Sequence, residues 1–329
     1  MAFKLNSILV ASIVLATLPS TSHLSHLACG QEPDSDWKCN AILSNAEKYT
    51  VPNIGAGQGV ALINNKLYFY GDKFDATPRV GVIVEYTLDM KPTGRTLLLN
   101  QHDRPRLTHP TGIAYLDKNN VFIGDTINQK AKIYLLDWEK AWKDGNLDKA
   151  IKHVTIDDEM INGCRPLLVA ANGRRYIATS DYGNKGNEIR LYDPEKLAVS
   201  EKTSDESVMV FKCKCGPFNQ NLHWDAEAGE ILCVQNVTPG RGWRLQAIPL
   251  SIPDPSVLGT KRSLVEKEFD LTHSPSITLP PHTELEGYCQ LPNGKSLFVT
   301  AHRKDNVWIG HVKPTDGEPT TKKGHWLPY

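Results

Sequence analysis

The feature that most constrains the fold of this 329-residue chain is a hairpin pattern that occurs five times. Each copy has a short apolar strand, a turn that contains Asn or Gly, and a second apolar strand that closes on a polar residue. Apolar runs rich in β-branched and aromatic residues between such turns are typical of antiparallel strands. A hairpin cannot bury both of its faces alone, so the copies predict a fold in which similar units pack side by side.

Further strand-like segments complete each unit. Every hairpin is followed by a third strand, and the first four units have a fourth at residues 96–99, 153–156, 208–211 and 265–271. Four antiparallel strands in each repeat predict an all-β fold, a β-propeller of five four-stranded blades, with six blades as the alternative. The fifth unit lacks a fourth strand, and residues 48–51, ahead of the first unit, are expected to supply it and close the ring.

Two insertions interrupt the predicted blades. Residues 137–151 predict a short helix that ends at Gly145, between the third and fourth strands of the second unit. Residues 251–267 form an insertion rich in proline and charge in the fourth unit. We expect both to decorate the surface.

The two ends of the chain lie outside the repeats. Residues 1–28 are typical of an export signal, because Lys4 precedes a mostly apolar, uncharged run at 7–18 and small residues follow Pro19. The run is shorter than a bilayer span, and a buried core helix is the alternative. We therefore expect a signal peptide at 1–28, an N-terminal extension at 29–46, one propeller domain at 47–313 and a tail at 314–329.

The export signal predicts a secreted or periplasmic protein. Ala28-Cys29-Gly30 offers lipid anchoring through Cys29 as the less favoured alternative. Because an exported protein meets oxidising conditions, disulfides are expected, although the odd count of seven leaves at least one cysteine unpaired. No cysteines stand in two pairs at zinc-ligand spacing.

Charge excludes several classes of partner. The chain has 37 Lys and Arg against 37 Asp and Glu, and loss of Lys4 with the signal leaves a net charge of about −1. This balance predicts no nucleic-acid partner and no anionic-membrane surface, and no transmembrane segment is expected. A phosphate-binding loop, a G-x-S-x-G motif and an HExxH motif are also missing from the sequence, so no motif identifies a substrate.

A propeller would gather polar side chains at one mouth of its central channel. The first strands line the channel, and the loops before first strands and after second strands emerge on one face. Polar residues stand at both positions. Before or within first strands they are Gln58, His109, Arg165, Asn221, His282, Glu284 and Glu286. At second-strand ends they are Asp72, Asp125, Asp181, Asn236 and His302.

Some of these residues are expected to be structural. Asp72, Asp125 and Asp181 recur in register, which indicates strand capping and hydrogen bonds to loop N–H groups. Residues that break the repeat are better functional candidates. The predicted catalytic groups are Glu286, His109, His302 and Arg165, and the predicted ligand contacts are His282, Glu284 and Gln58.

Two segments resemble known propeller families. HPTGIA at 109–114, followed by VFIGDT at 121–126, is similar to the NHL-type repeat. The pattern also resembles gluconolactonase-type (senescence-marker) and strictosidine-synthase-like propellers, as does Glu286-Gly287 at the start of a first strand. Those families commonly have six blades. The resemblance implies a divalent cation such as calcium, held by Glu286, Asn221, Asn236 and Asp181.

Two classes of function remain open. The first is a secreted hydrolase or lactonase that uses a divalent ion at the channel mouth. The second is a non-catalytic propeller that binds a small molecule, a carbohydrate or a protein on the same face. A lyase without a metal is a third possibility, with His109 as base, Arg165 as charge clamp and His302 as acid.

Overall fold

The computed structural model describes residues 37–73, 77–127, 130–160, 162–184, 187–238, 241–250, 267–270 and 283–315. In chain order the strands are β1 (Trp37–Tyr49), β2 (Ala56–Ile63), β3 (Lys66–Lys73), β4 (Val80–Thr87), β5 (Pro92–Leu98), β6 (Asn100–Gln101), β7 (Arg104–Pro105), β8 (Pro110–Asp117), β9 (Asn120–Ile127), β10 (Lys130–Leu136), β11 (Ile151–Ile156), β12 (Leu167–Ala171), β13 (Arg174–Ser180), β14 (Glu188–Tyr192), β15 (Met209–Lys214), β16 (Asn219–Asp225), β17 (Glu230–Thr238), β18 (Arg241–Pro249), β19 (Lys267–Asp270), β20 (Leu285–Gln290), β21 (Ser296–Thr300) and β22 (Val307–Pro314). The helices are α1 (Trp138–Asp144) and α2 (Pro194–Leu197).

These strands form a five-bladed β-propeller, as the repeats predict. Blades 1, 2 and 3 are β2 to β5, β8 to β11 and β12 to β15, each antiparallel in chain order. Blade 4 is β16 to β19, and blade 5 is β20 to β22 completed by β1. β6 and β7 form a small separate hairpin between blades 1 and 2. Every predicted fourth strand overlaps an observed one.

The N-terminal strand closes the ring, which confirms that prediction. Its residues 41–49 pair antiparallel with β22, from Ala41 opposite Pro314 to Tyr49 opposite Val307. Its first residues, 37–40, pair parallel with β19 of blade 4. Residues 37–46, expected as an extension, therefore belong to this closing strand. Burial explains the difference. Ala41 and Leu43 are two positions apart, so they point to the same face of the strand, and both are buried in the core that contains residues of blades 4 and 5.

Both faces of a blade are buried between its neighbours. On β3, Leu67 and Phe69 pack with Val299 of blade 5, and the alternate Tyr70 packs with Ile123 of blade 2. Because successive strand residues point to opposite faces, one strand serves two cores. This arrangement explains why the strands have nearly continuous apolar runs.

Glycines let the inner strands approach each other at the channel. A Cβ on Gly287 of β20 would lie 2.7 Å from the Cα of Gly59 in β2. A Cβ on Gly112 of β8 would lie 2.7 Å from the backbone nitrogen of Pro166, just ahead of β12. Side chains at these positions would separate the strands, so the glycines keep the channel narrow.

The short helix predicted in blade 2 is confirmed as α1. The Asp137 carboxylate accepts a hydrogen bond from the Lys140 backbone nitrogen at 3.0 Å, and Gly145 ends the helix with φ of 71°. These are a standard N-cap and a left-handed C-cap, so the local sequence sets both ends.

Several predictions concern residues outside the described ranges. They are the export signal, Cys29, most of the 251–267 insertion, His282 and the tail from residue 316. Within the described ranges Cys164, Cys215 and Cys289 form no disulfide. No helix in the described part of the chain is long and apolar enough to cross a membrane.

Candidate functional site

The loops at one end of the channel bring residues from several blades together. His109 precedes β8, Arg165 precedes β12, and Tyr182 follows β13. Glu284 precedes β20, and the hydroxyl of Tyr182 donates to its Oε1 at 3.1 Å. The charges of Arg165 and Glu284 both act on the His109 ring, so these groups share one mouth.

Two glutamates form a hydrogen-bonded pair at this mouth. The side chains of Glu284 and Glu286 bond to each other, and Glu286 is 2% exposed. Burial raises the pKa of Glu286 well above its ordinary value, the nearby Glu284 raises it further, and Arg165 opposes this. Two carboxyl groups this close do not both ionise readily, so the ionised form of Glu286 is disfavoured.

Arg165 lies buried beside this pair and is 4% exposed. Its Nη2 donates to the Oε1 of Gln220 at 3.2 Å, and its guanidinium lies 5.6 Å from the centre of the Tyr182 ring. Its Nε and Nη1 have no hydrogen-bond partner in the described structure. Burial lowers the pKa of Arg165 while the charges of Glu286 and Asp181 oppose that shift. The group stays a cation because the pKa of an arginine lies far above neutral pH.

His109 is held on two sides by aspartates. Its backbone nitrogen donates to the Asp125 carboxylate at 2.8 Å, and its Nδ1 lies 3.0 Å from the Oδ2 of Asp72. Arg79 forms an ion pair with Asp72, which offsets the charge that would otherwise favour a protonated imidazole. Burial, together with the charges of Arg165 and Arg79, lowers the pKa of His109 to about 4. The ring is therefore neutral at pH 7, and Nε2 accepts if Nδ1 carries the proton.

A hydrogen bond across the channel forms the floor of the mouth. The Nδ2 of Asn221 in blade 4 donates to the hydroxyl of Tyr70 in blade 1 at 2.7 Å. Blades 1 and 4 are not neighbours, so this bond crosses the centre of the propeller. Burial raises the pKa of Tyr70, and the charges of Arg165 and Glu286 act on the same hydroxyl. The bridge thus lies within reach of the charged groups and spans the channel between blades 1 and 4.

Residues at second-strand ends mainly fasten loops. The carboxylate of Asp181 accepts from the Asn162 backbone nitrogen at 2.9 Å. Asn236 Oδ1 accepts from the Leu285 backbone nitrogen at 3.2 Å. Together with the bond from Asp125 to His109, these contacts match the structural role expected for residues that recur in register.

Existing contacts engage three of the four implied calcium ligands. Among the described residues, no three His, Cys, Asp or Glu side chains are grouped so that they could hold a metal ion. Asn221 donates to Tyr70, and the amide oxygen of Asn236 already accepts a backbone hydrogen bond. The Arg165 cation also acts on Glu286. This donor set does not fit a divalent cation, so no catalytic step is derived through one, and calcium binding stays a prediction.

Two predicted residues remain, His302 and Gln58. His302 follows β21, and its Nδ1 lies against the carbonyl oxygen of Lys304. Gln58 is buried in β2, next to Gly59.

Three residues of the mouth were missed by the sequence reasoning. Tyr182 directly follows the end of a second strand, and its position alone could have identified it. Gln220 precedes Asn221 in a first strand, so the same rule could have included it. Tyr70 has no such signal, because it alternates with other buried aromatic residues of β3.

No protein-family model matches the chain, and no curated protein matches its sequence. Among solved structures, the chain is similar to a GH43 β-xylosidase/α-arabinofuranosidase from a compost microbial metagenome in complex with xylotriose, with 10% identity over 83% of this chain and 97% of that chain and a TM-score of 0.43. It is similar to an exo-β-1,3-galactanase from Phanerochaete chrysosporium with galactose, with 9% identity over 85% and 68% of the two chains and a TM-score of 0.46. It is also similar to a protein provisionally assigned as a gluconolactonase, with 12% identity over 84% of this chain and 97% of that chain and a TM-score of 0.39.

At these values the similarities carry no argument about function. The predicted propeller architecture is confirmed by the sheets themselves. Membership of the NHL-type or gluconolactonase-type families stays a prediction.

Proposed function

We propose that the channel mouth is the active site of an acid–base hydrolase that acts on a small polar molecule. The observation that carries the proposal is the hydrogen-bonded pair of Glu284 and Glu286, in which Glu286 is buried and its pKa is raised. A carboxyl group that stays protonated at neutral pH is suited to general acid catalysis. Secretion, expected from residues 1–28, is part of the same proposal.

Each group of the mouth has a role in the proposed reaction. The Glu284 carboxylate accepts a proton from water as the water oxygen bonds to the substrate's electrophilic atom. Glu286 gives its proton to the leaving oxygen as that bond breaks. The proton on Glu284 then passes to Glu286 through their hydrogen bond and restores the pair. Arg165 stabilises the negative charge that develops on the substrate.

His109 and Tyr182 orient the reacting groups. The hydroxyl of Tyr182 donates to Glu284 and holds it for the approach of water. The neutral imidazole of His109 offers a hydrogen-bond acceptor to a substrate hydroxyl and serves as an alternative base.

The test is a turnover assay with isosteric variants. Wild-type protein is screened on lactones, esters and glycosides, and Glu284→Gln and Glu286→Gln are then assayed on whichever is hydrolysed. We expect losses of about 10²- to 10⁴-fold in kcat with the fold retained. Glu188→Gln is the control, because Glu188 pairs with Arg190 on the third strand of blade 3 and not on an inner strand. Full activity in both mouth variants would count against the roles of Glu284 and Glu286, and no hydrolysis by the wild type would count against an enzyme.

Two further measurements separate the alternatives. Turnover that is lost in EDTA and restored by calcium would support the metal-dependent hydrolase instead. A non-catalytic binding propeller is the alternative, in which the polar groups above the Tyr70–Asn221 bond only hold a ligand. If Glu286→Gln abolishes turnover while ligand affinity is kept, the enzyme is favoured over the binding protein.

A further inference from the structure

We infer that Arg165 binds a carboxylate of the substrate, so that the mouth selects small carboxylic acids such as sugar acids over their neutral counterparts. The inference rests on the proposed function, because it concerns the same mouth, and it specifies the class of molecule that enters. It is carried by two donors of a buried side chain, Nε and Nη1, that have no partner in the described structure.

A comparison with Arg190 shows the difference between a satisfied guanidinium and one with unused donors. The Arg190 side chain is 12% exposed and its guanidinium is satisfied. Its Nε and Nη2 donate to Glu188 at 3.2 and 2.9 Å, and its Nη1 donates to the carbonyl oxygen of Glu159. Arg165 is more deeply buried, yet its one hydrogen bond in the described structure goes to the neutral Gln220. All three nitrogens of Arg190 therefore donate, whereas two of the three nitrogens of Arg165 do not.

The charge of Arg165 is also poorly balanced. The opposing charges that act on it most are those of Glu286 and Asp181, and burial together with Glu284 disfavours the ionised form of Glu286. Asp181 already accepts a backbone hydrogen bond from Asn162. A buried cation without a bonded counter-charge is costly, and a ligand that supplies one recovers that cost on binding.

The chemistry of the open donors favours a carboxylate. A guanidinium presents a planar fork of N–H groups that matches the two oxygens of a carboxylate. A neutral hydroxyl could accept one bond but would leave the charge unbalanced. A phosphate dianion would bring two negative charges close to the Glu284 carboxylate, so a single negative charge fits better.

The backbone around Arg165 is fixed before any ligand binds. The hydroxyl of Thr111 donates to the Cys164 carbonyl oxygen, and the Cys164 thiol lies 3.2 Å from the Lys132 carbonyl oxygen. Gly163 has φ of 115°, and a Cβ there would lie 3.3 Å from the Nη1 of Arg165. These contacts fix the backbone of the residue that precedes Arg165, which restricts where its side chain can lie.

The test uses pairs of compounds that differ in the carboxylate. Acetate with acetamide, D-glucuronate with D-glucose, and D-galacturonate with D-galactose are titrated into the full-length protein at pH 7 and equal ionic strength. Thermal shift and calorimetry are the readouts. We expect the carboxylates to raise Tm and to bind at least tenfold more tightly than their neutral partners. Equal effects of acid and neutral partner, or no effect of any carboxylate, would overturn the inference.

Arginine variants test whether the response to carboxylates depends on Arg165. Arg165→Met should keep or raise the Tm of the free protein, because an uncompensated buried cation is removed, and should lose the response to carboxylates. Arg190→Met, the matched control, should lower Tm and keep that response. If Arg165→Met does not fold, Arg165→Lys replaces it and should weaken carboxylate binding while retaining the charge. A carboxylate response that survives in the Arg165 variants contradicts the inference.

The outcomes also separate this inference from the hydrolase proposal. Hydrolysis that depends on Glu284 and Glu286 but shows no preference for acids overturns the role of Arg165 alone. Carboxylate binding that requires Arg165, together with full activity in Glu286→Gln, supports the anchor and overturns the acid–base mechanism.

Discussion

Tyr70 and Asn221 meet across the centre of the propeller, where the amide nitrogen of Asn221 donates to the Tyr70 hydroxyl at 2.7 Å. The two residues are 151 positions apart and belong to blades that are not neighbours. Both are buried, so the bond is shielded from water. It therefore ties opposite sides of the ring together beneath the mouth.

A double-mutant cycle should detect this tie. Tyr70→Phe leaves the buried Asn221 amide without its acceptor and should cost about 1–3 kcal/mol of unfolding free energy. The combination with Asn221→Ala should cost less than the sum of the two single changes, by about 0.5 kcal/mol or more. Urea denaturation of the four proteins gives the coupling. Strict additivity would show that the bond contributes nothing.

The close approach of the inner strands predicts a large effect at Gly59. Its φ is 155°, and an added Cβ would overlap the Tyr70 hydroxyl and lie 2.7 Å from the Asn221 amide nitrogen. Gly59→Ala should therefore cost about 3 kcal/mol, since both sterics and backbone oppose it. Gly94→Ala is the control, because Gly94 has φ of 78° with open space around it, and should cost about 1–2 kcal/mol. Equal losses in urea denaturation would refute a packed channel.

The raised pKa of Glu286 predicts a pH-dependent stability. The folded protein keeps this proton at pH values where the unfolded chain, near 4.5, has released it. Stability is therefore lost as pH rises from about 4.5 toward the folded pKa, by about 1.4 kcal/mol per pH unit. Because glutamine mimics the protonated form, Glu286→Gln should gain stability relative to the wild type between pH 5 and pH 8. Urea denaturation at several pH values measures this difference, and a constant difference would argue for an ionised Glu286.

The lowered pKa of His109 predicts the opposite dependence, in which stability falls as pH is lowered. The folded protein resists protonation down to about pH 4, whereas an unfolded imidazole protonates near 6.5. The contribution of the neutral His109 ring to the free energy of unfolding is complete above pH 6.5 and is lost as pH falls toward 4. Imidazole NMR of the wild type, with His109→Gln to assign the signal, should show a pKa of about 4. A value near 6.5 would mean that the ring is solvated or paired with a charged Asp72.

Much of the fold could be predicted because it is encoded locally. Turns, alternating apolar residues and their repetition identify blades without any knowledge of distant contacts. The structural role of Asp125 and Asp181 also followed from register, since equivalent positions in repeats make equivalent bonds. The grouping of His109, Arg165 and Glu284 followed from knowing which loops share a face.

The remaining features depend on geometry that the sequence does not carry locally. The Tyr70–Asn221 bond depends on how narrowly five strands converge, and no pattern near Tyr70 shows this. Which arginine keeps open donors depends on neighbours from other blades, as Arg165 and Arg190 illustrate. His302 was selected by position alone, and its ring nitrogen lies against its own loop instead.

The strand that closes the ring has a consequence for biosynthesis. The hydroxyl of Ser44 in β1 donates to the His311 carbonyl oxygen in β22, 267 positions further along the chain. On the ribosome, β1 emerges first and its partner emerges near the end, so the early strand has an open edge while four blades are made. Completion of the circle must await release of the last blade, and a chaperone that covers that edge would act in this interval.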